Sequence, residues 1–190
     1  MLQYFIGTAS WLTLARINAG FVSHAVAGYS LAIRIILFAL MPSWGICSAA
    51  ATLVGQNLGS VWTAARYNCY FLGALSLVLL AAAEPLLALF TPQPAVIAVG
   101  SECLRWVAAA YVCLAYGMTM EQAFNGAGDT TTPTWINFGC YWCMQIPLAW
   151  YLAQHLGPRG VYLAICGAES ALAVVSVILF RRGKWKTVAV

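Results

Sequence analysis

Cys69–Phe90 reads CYFLGALSLVLLAAAEPLLALF, an apolar run whose single charge, Glu84, stands just before Pro85. Coiled as a helix at about 1.5 Å per residue, it is about 33 Å long, enough to cross the roughly 30 Å hydrocarbon core of a bilayer. The run has no alternating polar face, and an open sheet edge in lipid would leave backbone donors and acceptors unpaired. The stretch therefore reads as one membrane-spanning helix.

Similar runs lie on both sides of it. They extend over about Leu2 to Ala15, Val26 to Val54 with Arg34 a third of the way in, Val96 to Phe124, Thr134 to Ala153 and Val161 to Phe180. Breakers separate them: Asn18-Ala19-Gly20, Gly55-Gln56-Asn57-Leu58-Gly59, Thr91-Pro92-Gln93-Pro94, Gly126-Ala127-Gly128-Asp129 and Gly157-Pro158-Arg159-Gly160. The first run is only about 21 Å long. Either Arg16 snorkels to the interface or the N-terminal part of that helix is missing. Thr132-Pro133 reads as a helix start, with Thr132 as N-cap and Pro133 in the first helical position.

Composition agrees with this reading. Of 190 residues, 63% are hydrophobic and 7% charged, against roughly 45–50% and about 25% in soluble domains. Nine Lys and Arg with five Asp and Glu cannot solvate a body of this size. A soluble enzyme, a disordered chain and a nucleic-acid module are excluded. The expected fold is an all-α polytopic membrane bundle of about six transmembrane helices, the first one short, over residues 1–180. A basic tail follows over 181–190, where Arg181-Arg182-Gly183-Lys184-Trp185-Lys186 holds four positive charges.

That cluster, directly after an apolar helix, reads as a cytoplasmic anchor rather than a nucleic-acid contact. Six spans then put the N-terminus on the cytoplasmic side too. The 55–68 and 125–133 loops are expected to be cytoplasmic, and the 18–26, 91–95 and 154–160 loops outside. Arg66 agrees with this sidedness and Arg159 does not. No secretory signal is evident at the N-terminus. The expected location is a cell (plasma or inner) membrane, multi-pass.

The seven cysteines, Cys47, Cys69, Cys103, Cys113, Cys140, Cys143 and Cys166, lie mostly inside apolar runs. They read as small apolar side chains rather than a disulfide framework. Cys140 and Cys143 form a CxxC, but His24 and His155 sit in expected loops far along the chain, so no metal site is predicted. HExxH, GxSxG and paired-Asp motifs are missing from the sequence, and no enzyme activity is expected.

Three ordered stretches resemble the multidrug and toxic compound extrusion (MATE) family of transporters. The first runs from Ala25-Val26-Ala27-Gly28-Tyr29 through Arg34-Ile35 to Ala51-Thr52-Leu53-Val54-Gly55-Gln56-Asn57-Leu58-Gly59. The second is Leu89-Phe90-Thr91 before Pro94. The third is Gln122-Ala123-Phe124-Asn125-Gly126-Ala127-Gly128-Asp129-Thr130, followed by Thr132-Pro133. Ile146-Pro147-Leu148-Ala149 and Gly160-Val161 extend the likeness over nearly the whole chain. The resemblance implies twelve helices in two six-helix lobes, of which these motifs match the second. It implies an antiporter that exports organic cations and drugs in exchange for H⁺ or Na⁺ by alternating access, with no other cofactor. A missing N-terminal lobe or a second copy of the chain would complete the cavity. The runner-up readings are half of a lipid-precursor flippase and a non-transporting fragment or assembly partner. A flippase would be expected to cluster Arg on pyrophosphate, and only Arg34 and Arg105 are candidates.

Charges inside spans need an explanation. Glu121, about one turn before Asn125-Gly126, could bind and release H⁺ and attract a cationic drug; it could equally be hydrated near the cytoplasmic end. Glu169, inside the last run, could join a proton relay or hydrogen-bond across helices as a packing device, and the second role is favoured. Glu84, with Glu102 and Arg105 as an i,i+3 pair, is placed at the outer interface. Tyr111, Tyr116, Met118, Gln122 and Gln145 could line a cavity for flat cations, with Tyr111, Met118 and Gln122 on one face. Ordinary helix packing is the alternative for each. Pro42 and Pro147 should kink their helices by freeing the Phe38 and Cys143 carbonyls. Gly126 and Gly128 with Asp129 lack the phosphate-loop pattern and read as a tight turn capped by Asp129.

Overall fold

The computed structural model describes the backbone of residues 2–21, 23–54 and 58–183, and all of its regular structure is helical. In chain order the elements are α1 (Leu2–Asn18), α2 (Ser23–Val54), α3 (Leu58–Ala88), α4 (Pro94–Ala109), α5 (Tyr111–Gly126), α6 (Thr131–Asn137), a π-helical segment (Phe138–Gln145), α7 (Ile146–Leu156) and α8 (Pro158–Arg182). Three helices are each long and apolar enough to cross a bilayer: α2, α3 and α8. Taken together, α4 and α5 are long and apolar enough for a fourth, as a pair bent by 54°. The α6–π–α7 stretch covers the fifth expected run, and α1 is short, as the sequence indicated.

Several boundaries differ from the sequence reading. Residues 58–68 of the expected 55–68 loop are helix, so α3 starts eleven positions early, and Asn68 is wholly buried. His24 lies in the first turn of α2 and His155 in the last turn of α7, not in loops. Thr132 is inside α6 rather than its N-cap. The capping group is the Asp129 carboxylate, which accepts from the Thr132 backbone N–H at 3.0 Å and from the Thr131 and Thr132 hydroxyls. Burial acts to raise its pKa, but the Thr132 and Thr131 hydrogen bonds outweigh that and hold it below the usual carboxylate range. Glu102 and Arg105 do not pair with each other. Arg105 reaches Glu84 at 3.1 Å, and Arg159 reaches Glu102 at 2.6 Å, because neighbouring helices bring better-placed partners than the i,i+3 position does. Of the basic tail, Arg181, Arg182 and Gly183 are described; the rest lies outside the described residues.

The prolines act differently from one another. The helix α2 runs on through Pro42. In α3, non-helical angles at Ala82 (φ −105°, ψ 16°) mark a kink one turn before Pro85. Pro147 is the second residue of α7, just past the π segment, where a missing N–H costs the helix ladder one bond.

The run expected over Val96 to Phe124 is two rods, though it has no Pro or Gly at the break. The Ala110 N–H turns back to the Val107 carbonyl at 3.0 Å, which tightens the chain between the two rods. Side chains from other helices also reach carbonyls of the last turn of α4. Ser76 on α3 donates to the Ala108 carbonyl at 2.7 Å, and the Cys166 thiol on α8 donates to the Trp106 carbonyl at 3.1 Å. The bend is thus a tertiary product, stabilised by groups far away in sequence.

Helix association in lipid draws on close packing and polar bonds more than on the hydrophobic effect. Both occur here. At the α2–α4 crossing, a Cβ on Gly28 would stand 2.8 Å from the Val96 carbonyl oxygen and 2.9 Å from the Gly100 nitrogen, so only glycine admits this approach. Gly126 meets the Ala51 backbone in the same way. Between α2, α3 and α5, Asn68 accepts from Ser43 at 2.7 Å and donates to the Ala115 carbonyl at 3.2 Å, with Cys47 and Thr119 beside it. One apolar core surrounds the stacked Tyr29 and Tyr162 rings. A second surrounds Phe124 and Phe180, where Trp62 packs edge-on and Arg181 lies 5.5 Å over its ring. All seven cysteines are free thiols.

Candidate functional site

The charges that the sequence left unexplained inside the spans converge. Glu169 stands mid-helix on α8, eleven residues after Pro158 and thirteen before Arg182, and is buried. Its Oε1 accepts from the Tyr141 hydroxyl of the π segment at 3.3 Å, and its Oε2 has no hydrogen-bond partner. Glu121 on α5 is near enough to feel the Glu169 charge. Glu121 is half-buried, and its Oε1 is shut from solvent without a hydrogen-bond partner. Asn137, the last residue of α6, lies beside Glu121, and its Oδ1 is buried without a partner. Among the described residues the recorded ion pairs are Glu84–Arg105 and Glu102–Arg159, both remote from this pair. A carboxylate taken out of water without a basic partner is costly, which sets Glu169 and its neighbour Glu121 apart from the other acidic residues.

A second polar connection lies on the same π segment. Ser10 of α1 donates to the Gln145 Oε1 at 2.8 Å, both residues being buried, and the Trp142 indole donates to the Ile6 carbonyl at 3.2 Å. The Gln145 Nε2 and the Gln3 Oε1 are buried without partners. A cavity of about 520 Å³ opens between the start of α1, the end of α5 and the start of α6. Gln3, Gln122, Asn125, Thr131 and Trp135 are among the residues lining it, and Asn125 donates to the Gln122 Oε1 at 3.5 Å.

The sequence candidates therefore scatter. Glu121 and Glu169 come together, and Gln145 binds α1. Gln122 lines the cavity, but Tyr111 does not share it; Tyr111 is fully buried in the core with its hydroxyl unpartnered. Tyr116 packs against the second core cluster, and Met118 is half-buried. Tyr141, Asn137, Ser10 and the Asn68 cluster were not singled out from the sequence. The available signal was a polar side chain inside an apolar run, which needs a partner wherever it is buried.

Comparison with known proteins gives a consistent picture. The family model described as MatE matches residues 1–151. The probable multidrug resistance protein NorM of Thermotoga maritima is 25% identical over 200 residues, covering all of this chain and 43% of that protein. The multidrug resistance protein PmpM of Pseudomonas aeruginosa is 24% identical over 95% of this chain and 41% of its own length. Among solved structures, the MATE transporter ClbM in complex with Rb⁺ superposes with a TM-score of 0.90 at 22% identity, over all of this chain and 48% of that one. The chain spans less than half the length of the curated relatives it matches, and its fold is that of one lobe of the larger transporter.

Proposed function

The chain belongs to the MatE family, and on that premise we propose that it supplies one lobe of a proton-coupled antiporter that exports amphipathic organic cations. The observation that carries the reading is buried Glu169, joined to the π segment by Tyr141, with half-buried Glu121 near it and no basic partner for either in the ion pairs of the described residues. Such a pair is a place for exchangeable positive charge inside a membrane protein. Two carboxyls with a phenol donor suit a proton. The relatives named as multidrug resistance proteins support the substrate class. The exporter is favoured over the flippase reading because Arg105, one of the two candidate arginines, is engaged by Glu84.

In this mechanism a second lobe, from another chain or a second copy, faces this one across the transport cavity. The multi-pass lobe sits in the cell membrane with its C-terminus cytoplasmic. Protonation of the pair and cation binding alternate, and the lobes rock between outward-open and inward-open states. The test is uptake of ethidium into inverted vesicles carrying this chain with a partner lobe, driven by a pH gradient. Uptake should collapse with nigericin and in the Glu121→Gln/Glu169→Gln variant. If no organic cation moves in any H⁺ or Na⁺ gradient, the reading is wrong.

A further inference from the structure

Between Phe138 and Gln145 one stretch of chain touches both the acid pair and α1. Tyr141 donates to Glu169, while the next residue, Trp142, and Gln145 hold the backbone of Ile6 and the hydroxyl of Ser10. We propose that this π segment is a register switch that ties the seating of α1 to the charge on Glu121 and Glu169. The inference rests on the proton-coupled reading above and adds the route by which the charge is felt elsewhere.

The physical argument starts from the helix geometry. A π segment holds more residues per turn than an α-helix, and its relaxation advances every later side chain by one position, about 100°. Pro147 lies just beyond, where its missing N–H has already opened the ladder, so the change of register meets little resistance. A charged carboxylate accepts a hydroxyl proton about twice as strongly as a neutral group does. While the pair carries charge, Tyr141 is held on Glu169, the wide turns persist, and Trp142 and Gln145 reach α1. When a proton neutralises the pair, that hold weakens, the segment tightens toward α, and both contacts to α1 swing away. The groups facing the pair leave the proton as the agent of change. They are Cys47 from α2, Asn137 from α6, Cys140 and Tyr141 from the π segment, and Cys166 from α8, and no basic side chain is recorded against it among the described residues.

The test is hydrogen–deuterium exchange of α1 amides, corrected for intrinsic rates, on the 190-residue chain in lipid nanodiscs. At about pH 5, exchange over residues 2–18 should be about tenfold faster than at about pH 9, the effect of losing roughly two polar contacts. Tyr141→Phe should remove that pH dependence. Glu121→Gln/Glu169→Gln should fix α1 in the fast-exchanging state at every pH. Pro147→Ala, which restores the ladder, should also give fast exchange and serves if Tyr141→Phe does not fold. Replacing sodium by choline at fixed pH should leave exchange unchanged; a large sodium effect would overturn the assignment to protons. A wild-type α1 that ignores pH, or a Tyr141→Phe chain that responds like wild type, overturns the switch. Transport without an α1 response refutes this inference alone, and an α1 response without transport refutes only the exporter reading.

Discussion

Ser76→Ala deletes one oxygen and almost no volume, so its effect isolates the bond that supports the α4–α5 bend. Ser76 is 7% exposed, and its hydroxyl donates at 2.7 Å to the Ala108 carbonyl, an acceptor near the bend. Removing the donor loses a bond worth about 1 kcal/mol and leaves a buried acceptor whose desolvation costs about 1–3 kcal/mol. Interhelical bonds in membrane proteins average about 0.6 and reach about 1.7 kcal/mol, because the unfolded chain also finds partners. The short distance and the burial of both groups place Ser76 near the upper end, at about 1.5 kcal/mol, or roughly tenfold in the unfolding equilibrium. Titration with SDS in mixed micelles, followed by far-UV circular dichroism, measures it. Ser76→Thr keeps the hydroxyl and should stay within about 0.5 kcal/mol of wild type. If Ser76→Ala unfolds within about 0.3 kcal/mol of wild type, the bend is held by packing alone and the reasoning fails.

Other outcomes follow from the same geometry. Asn68→Ala removes the amide that joins α2, α3 and α5, and should cost about 2 kcal/mol; a cycle with Ser43→Ala should show a coupling of about 0.6–1 kcal/mol. Gly28→Val drives methyl groups into the α4 backbone and should cost about 1–3 kcal/mol or abolish folding, read by size-exclusion monodispersity, whereas Gly73→Ala, with open space at its Cβ, should be tolerated. Asp129→Asn should cost about 1 kcal/mol at pH 7. Because its folded pKa lies below the unfolded one, the wild-type advantage exists above about pH 4 and disappears as pH falls through the folded value. Unfolding titrations at pH 7 and at about pH 2 measure the difference, and an advantage that persists in acid would contradict the capping role.

The spans were legible because lipid imposes a length and a composition that few other environments do, and Cys69–Phe90 shows both. The bend at Ala110 was not. The sequence around it contains no breaker, and its determinants, Ser76 and Cys166, stand 32 and 60 positions from the carbonyls they satisfy. Glu121 and Glu169 were each visible as charges inside apolar runs, but their pairing is set by how α5 and α8 pack. Tyr111, whose alternative reading from the sequence was ordinary helix packing, is fully buried in the first core cluster, a placement set by residues from several helices. Gly126 was read as turn chemistry, yet the space it leaves belongs to the Ala51 backbone of another helix.

The position of Glu169 halfway along α8 also has an electrical meaning. It lies about 17 Å from one end of the helix and about 20 Å from the other. On the proton-coupled reading, a proton that arrived there from either aqueous phase would have traversed about half of the voltage drop across the bilayer. Since a full crossing is worth about 2.3 kcal/mol per 100 mV, occupancy of that carboxyl would tilt by about 1 kcal/mol per 100 mV. The membrane potential would then act on this residue directly, in addition to any difference in proton concentration between the two sides.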